Sequence, residues 1–95
     1  MIIKVTQEHI DKGKANSRCP IALAIISAGF IGVLVDEVYI YIDGCLREGK
    51  YSRFVTPIAV RMFIHKFDLL ESVEPFEFNL DLYLNTILSH RVFLT

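Results

Sequence analysis

Apolar and polar positions follow two different rhythms along the chain, and the changes between them mark out strands and helices. Met1 to Val5 is a short β-type run. Thr6-Gln7-Glu8-His9-Ile10 then reads as a helix start: Thr6 is the N-cap, Glu8 favours the positive end of the dipole, and Val5 and Ile10 take the two staple positions. Gly13, one residue after Lys12, predicts a left-handed stop and a short helix. Residues 13–18 have no apolar period and predict a basic loop. Pro20 suits a first helical position, and Ile21-Ala22-Leu23-Ala24-Ile25-Ile26 continues as a helix that is apolar on every side and ends at Gly29. Such a helix belongs at the centre of a core.

Phe30 to Val35 and Val38 to Ile42 read as strands, the second pointing Val38, Ile40 and Ile42 inward and Tyr39 and Tyr41 to the other face. Asp43-Gly44 is the strongest hairpin signal and predicts that Cys45 onward folds back on that strand. Thr56-Pro57 opens a third helix, with Ala59, Val60, Phe63, Ile64, Phe67 and Leu70 on its core face and Arg61, His65 and Asp68 outside. From Phe76 to Leu84 the alternation is strict, and a helix would scatter those apolar residues around its circumference, so a strand buried on one side is expected. Residues 85–95 show no clean period. The order β-α-α-β-β-β-α-β predicts an α+β fold, a mostly antiparallel sheet with two or three helices packed on one face, as one domain over residues 1–95.

Composition adds a surplus. Hydrophobic residues make up 53% of the chain and mean hydropathy is +0.42, more than a domain of this size needs, which points to a partner or to self-association. Cys19 to Val35 approaches the length of a bilayer span, but Cys-Pro at its start, Gly29 and Gly32 within it and the β-branched residues after them favour a buried helix followed by a buried strand, so no membrane segment is expected. Met1 to Thr6 runs directly into charged residues, unlike a secretory signal, and a cytoplasmic address is expected, where Cys19 and Cys45 stay reduced.

Net charge is −1, which gives no global attraction for nucleic acid. The charge is uneven: residues 1–66 carry nine Lys/Arg against six acids, and residues 67–95 carry Arg91 against five acids.

Candidate chemistry is sparse. Lys12, Lys14, Asn16, Arg18 and Cys19 gather cations just before a helix N-terminus, the arrangement that binds an anion or nucleotide phosphate and lowers a thiol pKa; the plainer reading makes Cys19 a packed cap. Tyr39 and Tyr41, with Arg47, Lys50 and Arg53 after them, interleave aromatics and cations as single-stranded nucleic-acid platforms do, although such tyrosines also serve sheet packing alone. His9, His65 and His90 have no metal-ligand spacing to one another or to a cysteine, no paired-carboxylate or glycine-rich phosphate motif is present, and neither a metal nor another cofactor is expected.

The segments Val5-Thr6-Gln7-Glu8-His9-Ile10-Asp11-Lys12-Gly13, Cys19-Pro20-Ile21-Ala22-Leu23-Ala24, Phe63-Ile64-His65-Lys66-Phe67-Asp68 and Val73-Glu74-Pro75-Phe76-Glu77-Phe78 together resemble a family of small bacteriophage and prophage proteins of no assigned activity. The resemblance spans most of residues 4–80 and implies a role inside an infected or lysogenic bacterium; it assigns no site. The expectation drawn from all of this is a non-enzymatic binding protein, a phage accessory or host-inhibitory factor acting as a homodimer or on a host protein. The overhanging strand end with Phe78, Leu80, Leu82 and Leu84 is the expected dimer contact.

Overall fold

The polypeptide, described by a computed structural model over residues 1–14, 18–43 and 51–80, forms the elements in the expected order. They are β1 (Ile2–Val5), α1 (Gln7–Lys12), α2 (Pro20–Ser27), β2 (Ile31–Val35), β3 (Tyr39–Asp43), β4 (Tyr51–Val55), α3 (Ile58–Asp68) and β5 (Phe76–Asn79). All strand pairings are antiparallel, which fits the α+β expectation. The strands divide into two sheets, however: β1 with β5, and β2-β3-β4 with β3 central. One core joins them. Ile3 and Val5 of β1, Ile21 and Ile25 of α2, Val33, Ile40, Ile42 and Phe54 of the larger sheet, and Val60, Phe63 and Ile64 of α3 are buried together.

The all-apolar α2 occupies the centre and packs against α1, β1 and β2. Its start follows from Cys19-Pro20: the Cys19 Sγ accepts from the Ala22 N–H at 3.5 Å, and Pro20 needs no partner for an N–H it lacks. Its end follows from Gly29 at φ +107°. α1 is held by a capping box in which His9 replaces the usual acid. The Thr6 N–H donates to His9 Nδ1 at 3.0 Å and the Thr6 hydroxyl accepts from the His9 N–H at 3.4 Å. With Nδ1 accepting, the ring donates from Nε2 to the Ser27 hydroxyl at 2.9 Å, which ties α1 to the end of α2.

Several local expectations are corrected. Gly13 is extended (φ −67°), not left-handed; a side chain there would sit 2.5 Å from Pro20 Cγ, so it is close approach to α2 that requires glycine. Val38 is exposed because the Asp36 carboxylate accepts from the Val38 and Tyr39 N–H groups at 2.7 and 2.6 Å, closing an Asx-type turn that delays β3 to Tyr39. Asp43 pairs with Tyr51, so the chain lies back on β3 over Tyr51–Val55; the expected hairpin turn at Asp43-Gly44 and the return from Cys45 fall on residues 44–50, which lie outside the described residues. Thr56 does not cap α3: its hydroxyl donates to the Asp36 carbonyl at 3.0 Å, and Pro57 stands at the cap position. Ala59 and Leu70 are exposed, so the core face of α3 narrows to Val60, Phe63 and Ile64 with Phe67 beside them.

β5 ends at Asn79, matched to the four residues of β1, and the ladder adds one bond from the Leu80 N–H to the Met1 carbonyl at 2.8 Å. Phe78 and Leu80 are buried in this chain's own core, which corrects their assignment to a dimer contact. Leu82, Leu84 and the remainder to Thr95 lie outside the described residues. No helix of the described residues is long and apolar enough to cross a membrane.

Candidate functional site

Of the basic loop, Lys12, Lys14 and Arg18 lie within the described residues and all three are exposed. Lys12 pairs with Glu8 on its own helix at 2.8 Å, fully in solvent, and the Lys14 N–H donates to the Arg18 carbonyl at 2.9 Å, which closes the loop backbone while both side chains stay exposed. Asn16 lies outside the described residues. Cys19 is buried, and that burial pushes its thiol pKa up, opposite to the activation a basic neighbourhood would produce. The cleft in front of it, about 160 Å³, is lined by Cys19, Val35, Asp36, Glu37, Ile64 and Asp68. Three carboxylates at that mouth repel an anion. Among the described residues no group of His, Cys, Asp and Glu could hold a metal ion.

The larger sheet offers more. One face of its strands turns Val33, Ile40, Ile42 and Phe54 into the core. By the two-residue period, the opposite face carries Leu34, Tyr41 and Arg53 in one row across β2, β3 and β4, with Tyr39 and Val55 in the next and Ile31 and Asp43 at the far end. Leu34 is 47% exposed, Val55 64% and Ile31 72%. The Tyr39 and Tyr41 rings are 6.1 Å apart and tilted by 59°. The Arg53 guanidinium lies 4.5 Å from the Tyr39 ring centre, so cation, aromatic rings and aliphatic groups form one continuous surface.

Strand periodicity puts Tyr39 and Tyr41 on one face with Arg53 following later in the chain, and the structure brings the three together. Arg47 and Lys50 lie outside the described residues. Leu34, Val55 and Ile31 were missed as site residues because apolar residues in a strand read as core until the partner strands are known. The bulge at Gly32 (φ +59°) sets this face: it shifts the register between Ile31 and Val33, so that Ile31 stands opposite Asp43 on the outer side. A side chain at position 32 would also meet Asp43 Cβ at 2.6 Å.

A second apolar surface lies along α3. A groove of about 420 Å³ runs between Ala59, Met62, Phe63 and Lys66 on one side and Ser72, Val73 and Phe76 on the other. Beyond it the helix ends in a Schellman motif: the Glu71 N–H donates to the Lys66 carbonyl at 2.9 Å and the Leu70 N–H to the Phe67 carbonyl at 3.0 Å. Leu70, not glycine, holds the left-handed position at φ +60° and is 94% exposed.

Comparison of the chain with protein-family models, with curated proteins and with solved structures finds no match, so its function is argued from its own residues.

Proposed function

We propose that this protein is a non-enzymatic protein-binding factor whose partner covers the outer face of the β2-β3-β4 sheet. The observation that carries the reading is the unbroken row Leu34, Tyr41, Arg53 flanked by Tyr39 and Val55. Tyr and Arg among exposed aliphatics is the composition of interface hot spots, because their rings and planar cation lose water over a large area at little cost in side-chain entropy. The resemblance to phage and prophage proteins favours a host bacterial protein as the target, with an accessory or inhibitory outcome, in the cytoplasm of an infected or lysogenic cell. Pairing with a second copy is the rival occupant within the same reading.

Single-stranded nucleic acid is the second reading, favoured by the paired tyrosines. Arg53 already covers the Tyr39 face a base would stack on, and Asp43 stands at the far end of the surface, so protein is preferred. The small-anion alternative loses support from the carboxylates at the Cys19 cleft.

Affinity capture from bacterial lysate with the intact chain tests the proposal. A stoichiometric partner is expected with the unmodified protein and with Leu70→Asp, which lies on another surface, and its loss is expected with Leu34→Asp. Tyr41→Ala should weaken binding by about 2 kcal/mol, roughly 30-fold. Equal capture by all four proteins, or no stoichiometric partner, rejects it. Retention of a labelled oligonucleotide that falls steeply with salt would move the assignment to nucleic acid.

A further inference from the structure

We propose that the partner binds as an extended acidic strand added to the outer edge of β4, which no described residue covers, an inference that rests on the protein-binding reading above. The hydrogen-bond phase of the sheet fixes which groups are open. The Thr56 N–H donates to the Val38 carbonyl at 3.0 Å, and the Asp36 N–H to the Tyr39 carbonyl at 2.9 Å. In the antiparallel ladder Val55↔Tyr39 and Arg53↔Tyr41, this makes Phe54↔Ile40 the mutually bonded pair and turns the backbone N–H and C=O of Arg53 and Val55 away from β3. β4 is an edge strand, and no described residue bonds those four groups.

The other edge of the same sheet is guarded. β2 carries the Gly32 bulge, which breaks its register, whereas β4 pairs continuously over five residues with no bulge or proline inside it. The outer face alone is also small. Three strands of five residues cover about 14 by 17 Å at ordinary strand spacings, on the order of 240 Å² in projection, against roughly 800 Å² per partner in a stable interface. A strand added at β4 extends the contact from that face onto an edge whose outward backbone groups no described residue bonds.

Charge selects the occupant. The fully overlapped antiparallel pairing of β4 with a second β4 sets Arg53 directly opposite Arg53, and a shift of the register by one bonded pair toward the C-terminal side brings Pro57, which has no N–H, into the ladder. A foreign strand with Glu or Asp facing Arg53 and an aliphatic residue facing Val55 meets neither obstacle. Arg53 is held over Tyr39, so its outer nitrogens are presented in a fixed plane to a carboxylate.

The test uses two eight-residue peptides, each with Thr at alternate positions and Val at the others except for one central position, which is Glu in one peptide and Lys in the other, titrated against the full chain by fluorescence anisotropy. The Glu peptide should bind at least tenfold tighter than the Lys peptide, and Arg53→Glu should reverse the preference. Val55→Pro removes one outward N–H while leaving the β3 ladder intact; it should weaken the Glu peptide at least tenfold where Val55→Thr does not. A Glu peptide N-methylated at alternate residues supplies the same test without altering the protein. Equal affinity for the two peptides, no binding of either, or indifference to both Val55→Pro and N-methylation overturns strand addition. If lysate capture depends on Leu34 and Tyr41 but ignores Val55→Pro, face binding stands and the edge assignment alone falls.

Discussion

The two faces of the β2-β3-β4 sheet are built from the same residue classes and end in opposite environments. Ile40 and Ile42 alternate with Tyr39 and Tyr41 on one strand; the isoleucines have no exposed surface, while the tyrosines stand half-buried on the other side. Likewise Phe54 is buried between exposed Arg53 and Val55 on β4. Hydrophobicity alone therefore does not separate core from interface in this chain. What separates them is supply: α2 is apolar all round and sits against β2, while among the described residues no comparable helix packs on the outer face.

The sharpest test of that difference compares truncations at neighbouring positions. Ile40→Ala removes a fully buried side chain and should cost about 2–5 kcal/mol, whereas Leu34→Ala, already about half in water, should cost well under half as much. Denaturant unfolding of both variants measures this. Equal losses would mean that the outer face is covered within the single chain.

Cys19 gives a chemical version of the same contrast. Burial raises its pKa, so the folded state keeps the thiol proton to a higher pH than the unfolded chain does. The linked stability is fully present below the ordinary thiol pKa and declines as pH rises from there toward the folded value. Stability measured against pH should thus fall in the alkaline range, and Cys19→Ala should flatten that part of the slope. An unchanged slope in Cys19→Ala would show that the thiol is not held protonated by the core.

The tie between α1 and α2 is smaller and more specific. His9→Ala loses both the bond to the Thr6 N–H and the bond to Ser27, and should destabilise by about 1–2 kcal/mol. His9→Glu restores an ordinary capping box but cannot donate to Ser27, so it should recover part of that loss. Full recovery in thermal unfolding would assign the whole effect to the cap and none to the link between helices.

How much of this was legible beforehand depends on whether the deciding partner was near in sequence. The identity and order of all eight elements, the Thr6 cap and the central place of α2 follow from local pattern and agree with the structure. The errors share a cause. Thr56-Pro57 opens α3 by local pattern, but the Thr56 hydroxyl is drawn to the Asp36 carbonyl, twenty residues away. The basic segment at 12–18 allows an anion site or a packed Cys19 cap by local pattern, and what local pattern does not show is that Glu8 pairs with Lys12 and that Asp36, Glu37 and Asp68 line the cleft at Cys19. Phe78 and Leu80 were read as overhang because the length of β1, which matches β5, could not be known from β5 itself. The outer face was only half visible: the tyrosines and Arg53 stood out by type, while Leu34 and Val55 needed the register to place them.

The smallest expected effect concerns the two helix ends. Both α2 and α3 stop with a left-handed residue, but α2 uses Gly29 and α3 uses Leu70. A β-carbon in that conformation costs about 1–2 kcal/mol relative to a right-handed residue, and Leu70, 94% exposed, recovers almost nothing by burial. Replacing it with glycine removes the steric cost and adds unfolded-state entropy, which takes back part of the gain. Leu70→Gly should therefore stabilise by up to about 1 kcal/mol, raising Tm by a few degrees. The Schellman bonds to Lys66 and Phe67 involve only backbone and should survive the change. A fall in Tm would show that Leu70 makes contacts that hold it in place, and would move it from the uncovered half of the molecule to the covered half.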